Sequence, residues 1–225
     1  MSEAESLAVS RRELAVERSL DSARERAEVR VQRFLDAAIE LVRSERGKDF
    51  TVQEVVERSG QSLRSFYQYF GGKRELLLAI FEESVRHTSE HLRSVVEAER
   101  DPLARLELFA REYYALCVPA TKRRAAKSTG PAPAIAEFAL QLLIEHSAEA
   151  ARAFGPLVEL STELVTAAVA AGTVRDDIAV SRIVGTLLES VMFSTFAAAI
   201  TADAPGDVGG DARVWELILR GIGSP

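Results

Sequence analysis

The sequence predicts an all-α fold, and three observations carry that prediction. Ala, Leu, Glu and Arg dominate the composition, and these are strong helix formers. Apolar residues recur at three- and four-residue spacing over long stretches, the period of one face of a helix. Short alternating runs rich in Val, Ile and Thr, which would mark strands, are hard to find. At 225 residues the chain can build one large domain or two small ones, and its 47% hydrophobic and 28% charged residues suit a globular core with a solvated surface.

Residues 1–23 are polar and charged, with too few apolar positions to pack as a unit, and are expected to form a mobile or partly helical arm. Arg11, Arg12 and Arg18 would let such an arm reach DNA, with plain disorder as the alternative. From about Arg24 to Arg46 a helix is expected, because Val31, Phe34, Ala38, Leu41 and Val42 share a face. Gly47 ends it. Thr51 followed by Glu54 is a capping box, and Phe50 and Val55 stand where a hydrophobic staple belongs. That second helix runs to Ser59 and stops at Gly60. Ser62 caps a third, short helix from Leu63 to Phe70, which Gly71-Gly72 breaks. A long helix follows from Lys73 to about Arg100, and Asp101-Pro102 starts another that ends near Cys117. Residues 119–133 read as a loop carrying Lys122, Arg123, Arg124 and Lys127. Further helices are expected at about 134–153, 156–171, 179–200 and 211–222.

Two short helices joined through Gly60-Gln61-Ser62 form a helix-turn-helix. Glycine can take the left-handed conformation that a tight turn requires, and the first helix braces the second so that it can enter a major groove. Within the second helix Phe66 and Phe70 lie one turn apart and face the core, while Arg64, Ser65 and Gln68 fall on the other side. Arg pairs bidentately with guanine, Gln with adenine, and Ser with either. Tyr67 and Tyr69 offer hydroxyls to phosphates. Lys73 brings its charge to a helix start whose free N–H groups also attract a phosphate.

The segment FTVQEVVERSGQSLRSFYQYFGGKRELL resembles the DNA-binding motif of the tetracycline-repressor (TetR) family. The matching residues are Thr51, Gly60, Ser62, Ser65, the Phe66-Tyr67 pair, Phe70, Gly71, Lys73 and Leu76. The resemblance covers roughly residues 30–80 and implies that Arg64, Ser65 and Gln68 read bases while Thr51, Tyr67, Tyr69 and Lys73 touch the backbone. Two positions depart from the family's pattern. Gln61 stands where a small apolar residue is common, so it is expected to be solvated. Gly72 replaces a Ser-like cap, which weakens the following helix start by a few tenths of a kcal/mol. Leu63 is open between burial and contact with a thymine methyl.

The resemblance further implies a domain division into arm (1–23), DNA-binding domain (24–76) and a helical effector-binding and dimerisation domain (77–225). It implies a homodimer on a palindromic operator, acting as a repressor that a small molecule releases; an activator on the same fold is the alternative. In 179–200, Ile183, Leu187, Val191 and their apolar neighbours wrap nearly all round the helix, and the last helix carries Trp215 and Ile218. Burial on more than one side calls for a partner, so these five are expected at the dimer interface, a single-chain core being the alternative. Phe81, Phe109, Tyr113, Cys117, Phe138, Leu142 and Phe154 are the candidates for lining a pocket, and their character favours a hydrophobic or amphipathic effector. Were that effector acyl-CoA-like, Lys122, Arg123 and Arg124 could pair with its phosphates; a solvated basic loop is the plainer reading.

Other classes find little support. The net charge is −6, yet residues 24–76 carry +2, so a mildly basic head sits on an acidic chain. Cys117 is the single cysteine, which excludes an intramolecular disulfide and a thiolate pair for zinc. No apolar run reaches the roughly 18–20 residues that span a bilayer, and no signal-peptide centre is seen, so a cytoplasmic protein without a membrane partner is expected. His87 and His91, with Glu83 and Glu90, have metal-compatible spacing but read as surface residues, and no metal or cofactor is expected. No glycine-rich phosphate loop or nucleophile elbow is present, and His146 has no triad context, so an enzyme is not expected. A helical adaptor that has lost DNA binding is opposed by Arg64, Ser65, Gln68 and Lys73.

Overall fold

The computed structural model describes residues 11–44, 50–117, 142, 145–200 and 211–223. These form eight helices: α1 (Arg11–Ser44), α2 (Val52–Ser59), α3 (Leu63–Tyr69), α4 (Lys73–Val96), α5 (Pro102–Cys117), α6 (Ser147–Ala170), α7 (Val180–Ile200) and α8 (Asp211–Ile222). Apart from helices, the described residues hold one isolated antiparallel bridge, between Val174 and Gly223. The chain divides into two compact units at Leu76 and Leu77.

In the first unit α1 supplies Phe34, Ala38, Leu41 and Val42 to a core completed by Val55 and Val56 of α2, Phe66 of α3, and Phe50, Phe70 and Leu76. The aromatic rings lock together edge to face: Phe34 meets Phe66 at 5.4 Å and Phe70 at 6.1 Å between centroids. Helix α1 begins at Arg11, well before the dense apolar stripe that sets the expected start near Arg24. No Gly or Pro interrupts residues 11–44, and the Arg24–Glu28 pair at 2.9 Å supports the exposed turns, so propensity rather than burial extends the helix.

Helix α2 is punctuated as its sequence dictates. Glu54 N–H donates to Thr51 Oγ1 at 3.2 Å, and Thr51 N–H donates to Glu54 Oε2 at 2.7 Å. Phe50 and Val55 are both buried beside this cap. Gly60 closes the helix in the left-handed conformation, φ 65° and ψ 25°. Its N–H donates to Glu57 O and the Gln61 N–H to Val56 O, each at 3.3 Å, which satisfies carbonyls the helix end would otherwise leave open.

In the second unit α5 lies against α6, α7 and α8, and contributes Leu106, Phe109, Ala110, Tyr113 and Tyr114 to the core. Two sequence expectations are corrected here. A helix break before Pro156 is expected, but α6 runs through it from Ser147 to Ala170. Proline has no N–H for the carbonyl of Arg152, a cost of about 3 kcal/mol in a helix interior. Against that, Ala150, Ala153, Leu157, Leu160, Leu164, Val165 and Ala168 are all buried, and such a face holds the rod together on both sides of the proline. The second correction concerns membrane length. Residues Ala148–Ala170 are long and apolar enough, by length and composition only, to cross a bilayer. The apolar window is 39% buried within the chain, and a core helix passes the same test. The expected helices at 134–153 and the loop 119–133 lie wholly or largely outside the described residues.

Candidate nucleic-acid interface

Helix α3 is short, so its orientation comes from what grips it. Ser62 Oγ accepts the Ser65 N–H at 3.1 Å, fixing the first turn. Phe66 is fully buried against Phe34 and packs at 5.4 Å on Phe70, which closes the helix by donating its N–H to Phe66 O at 2.9 Å. One face of the helix is thereby nailed to the core. The other face is open: Leu63, Arg64, Tyr67 and Gln68 are exposed. Among the described residues Arg64 forms no ion pair and Gln68 no side-chain hydrogen bond. A guanidinium and an amide held side by side on a braced rod, with every donor unspent, are the groups that read guanine and adenine edges.

Gln61 corrects an expectation. It is half-buried rather than solvated, and its Nε2 donates to Arg30 O at 2.8 Å. Its Oε1 accepts the Ser65 hydroxyl at 3.5 Å. The side chain thus ties the turn to α1, and Ser65 gives part of its donor capacity to that tie. The sequence signal was present: a polar residue where the pattern favours a small apolar one.

The residues expected to touch the DNA backbone surround this face unequally. Tyr67 is 57% exposed, its ring edge-on to Phe66 at 5.4 Å, while Tyr69 is half-buried. Thr51 is exposed, but its hydroxyl also donates to Glu54 Oε2 at 2.8 Å, so a phosphate must compete with a carboxylate for it. Lys73 Nζ lies 4.6 Å from the centre of the Phe50 ring, a cation–π contact that holds the ammonium at the start of α4. The weak start at Gly72 is offset by Glu75, whose Oε2 accepts the Gly71 N–H at 2.5 Å.

The pocket candidates form separate contacts in the second unit. Phe81 meets Phe154 edge to face at 5.2 Å, Phe109 stacks on Tyr113 at 6.0 Å, and Leu142 is buried. Phe138 lies outside the described residues. Tyr113 and Cys117 share a hydrogen bond, and burial pushes the tyrosine hydroxyl well above its usual range and the thiol up to about 11. A neutral thiol is a poor nucleophile, so Cys117 should react with a disulfide reagent far more slowly than a free thiol at pH 8, its rate climbing as pH approaches about 11. Because Cys117 is the one cysteine, absorbance of the released reagent reads this site alone; a rate equal to free cysteine at pH 8 would refute it.

His87 Nε2 stands 3.3 Å from Glu83, but Arg86 grips both neighbouring carboxylates, Glu83 at 2.5 Å and Glu90 at 2.6 Å. Among the described residues no group of three or more His, Cys, Asp or Glu is arranged to hold a metal. Ile183, Leu187, Val191, Trp215 and Ile218 are all buried within the single chain. Outward from them stands Leu217, 75% exposed, and Trp215 Nε1 is buried without a hydrogen-bond partner among the described residues.

Comparison with known proteins matches this geometry. Residues 34–80 match the model of "Bacterial regulatory proteins, tetR family". The uncharacterized HTH-type transcriptional regulator YvdT of Bacillus subtilis (strain 168) is 32% identical over 71 residues, which are 31% of this chain and 36% of that protein. The aligned part thus spans little more than a third of that relative. Among solved structures, the transcriptional regulator FadR from Bacillus subtilis in complex with stearoyl-CoA superposes with a TM-score of 0.63 at 17% identity, covering 85% of this chain and 98% of that one. FadR from Bacillus halodurans gives 0.64 at 17%, covering 84% and 94%. E. coli NemR in its reduced form gives 0.64 at 12%, covering 87% and 98%. At such identities the likeness is one of fold. Residues 34–80, which hold the helix-turn-helix, thus match the tetR family of bacterial regulatory proteins, and 85% of the chain shares its fold with a solved transcriptional regulator.

Proposed function

We propose that the chain acts as a homodimeric repressor that occludes a promoter by binding a palindromic operator, and that an amphipathic small molecule releases it. The observation that carries this reading is the open edge of α3, where Arg64 and Gln68 are exposed on a helix whose other face is locked by Phe66 and Phe70. In a dimer two such edges about 34–36 Å apart would enter successive major grooves. Arg64, Ser65 and Gln68 read bases; Tyr67, Tyr69, Thr51, Ser62 and Lys73 hold the phosphates. The protein works in the cytoplasm, where its operator is.

The partner subunit is proposed to pack on the outer faces of α7 and α8. Because Ile183, Leu187, Val191, Trp215 and Ile218 are already spent on the chain's own core, contact falls to residues such as Leu217. Trp215 Nε1, buried in that core without a hydrogen-bond partner among the described residues, costs the chain about 1–3 kcal/mol. The effector lies among Phe81, Phe154, Phe109, Tyr113 and Leu142. A long-chain acyl-CoA fits this reading, by its apolar tail and by analogy with the stearoyl-CoA of the Bacillus subtilis FadR structure. Lys122, Arg123 and Arg124 are placed to pair with its phosphates in sequence only.

Titration calorimetry of stearoyl-CoA against the wild-type chain and a Lys122→Ala/Arg123→Ala/Arg124→Ala variant tests the effector. Binding by the wild type, about tenfold weaker in the variant, is expected, a difference of about 1.4 kcal/mol. No binding by the wild type ends the acyl-CoA reading. Equal binding removes the three cations from it.

A further inference from the structure

Helix α1 reaches far beyond the head it helps to build, and its charges are sorted by side. Arg11, Arg18, Arg26 and Arg33 follow one another about two turns apart, and Arg30 stands one turn beyond Arg26. They share one flank of the rod. Glu13, Glu17, Asp21 and Glu28 lie on another, with Glu25 at the border between them. Arg24 falls on the acidic side and pairs there with Glu28 at 2.9 Å.

The arginines of the first flank are exposed and form no ion pair among the described residues. Arg26, Arg30 and Arg33 even neighbour one another at spacings where like charges repel. A helix of mixed composition normally cancels such charges with pairs along its own face. Between Arg11 and Arg30 this flank holds them without an ion pair among the described residues, Asp36 and Glu40 joining it only beyond Arg33, so that stretch is complementary to a polyanion.

The fold aims that flank. Gln61 Nε2 donates to the carbonyl of Arg30, and Gln61 Oε1 accepts the hydroxyl of Ser65 in the first turn of α3. The side of α1 that carries Arg26, Arg30 and Arg33 therefore adjoins the start of the reading helix. Beyond Arg26 the helix continues outward uncovered, with Leu20 64% and Val16 51% exposed. At about 1.5 Å per residue, the stretch from Arg11 to Arg26 spans about 22 Å, or about six base pairs of duplex rise.

We propose that this stretch is a second DNA-binding element, in which Arg11, Arg18 and Arg26 track the phosphates flanking the bases read by α3. The inference rests on the operator-binding reading above and extends the site outward along the duplex. Arginine suits the task because its planar fork binds phosphate oxygens in pairs. Such contacts carry no base information; they add affinity and release counterions.

The test uses the full-length chain and a duplex enriched from a random pool by that chain. The variant is Arg11→Gln/Arg18→Gln/Arg26→Gln, since glutamine keeps the helix propensity of arginine while removing its charge. Circular dichroism checks that helicity is retained. Each lost phosphate contact lowers the slope of log K against log salt by about 0.9, so a decrease of roughly 2–3 per head is expected. The nuclease footprint should shorten at its outer flanks, with the ranking of single-base operator variants unchanged.

An unchanged slope and footprint in the variant, on a duplex the wild type selects, would overturn this inference alone. If the wild type enriches no duplex, the operator-binding reading fails and takes the arm with it. If Leu20→Glu lowers the oligomer mass while the arginine variant binds as the wild type does, the arm serves another copy of the chain and the proposal falls.

Discussion

Phe66→Ala should cost the N-terminal unit about 3–5 kcal/mol and abolish DNA binding at 25 °C. Phe66 is fully buried and touches Phe34, Phe70 and Tyr67, so truncation empties the centre of the aromatic cluster. A core of this size rarely supplies more than about 3–5 kcal/mol in total, so the loss consumes most of the margin. The chain provides its own control. Its single tryptophan, Trp215, is buried in the second unit, so its fluorescence follows that unit, whereas far-ultraviolet dichroism follows both. The variant is expected to lose helicity while the Trp215 transition is retained. Phe66→Leu, which keeps most of the volume, should lose far less. Wild-type affinity in Phe66→Ala would mean that the cluster does not hold α3.

Arg64→Ala should have the opposite signature: no change in unfolding, and a loss of about 1–3 kcal/mol of discrimination at one or two operator positions. The side chain is exposed and, among the described residues, unpaired, so no described contact of the fold depends on it. Lys73→Ala should instead weaken every sequence alike and lower the salt slope by about 0.9 per head. Part of that loss is positional, because Lys73 is steadied over the Phe50 ring. Competition binding on a panel of single-base operator variants, repeated at several salt concentrations, separates the two. Parallel losses across the whole panel for both variants would contradict this division between reading and anchoring.

Much of the head was legible because its signals are short-range. A capping box spans Thr51 to Glu54, a left-handed turn needs only Gly60, and the burial of Phe66 and Phe70 follows from helical spacing. The exposure of Arg64 and Gln68 then follows from where those two rings point. Gln61 was less legible, since its partner, the carbonyl of Arg30, is distant in sequence and brought close only when α1 crosses the turn. Whether residues 11–23 continue the helix stays open in the sequence for a related reason: an apolar stripe marks where a helix is buried, not where it begins.

By itself, then, the chain's order of residues determined its helical class, the punctuation of α2 and α3, and which side chains of α3 stay polar and outward. Those outcomes depend on contacts within a turn or two. Only the tertiary structure decided that α6 passes unbroken through Pro156 and that Ile183, Leu187, Val191, Trp215 and Ile218 are buried within the single chain. Both are settled by packing between distant segments, where buried area outweighs a proline's local cost and determines which apolar face is spent within the chain.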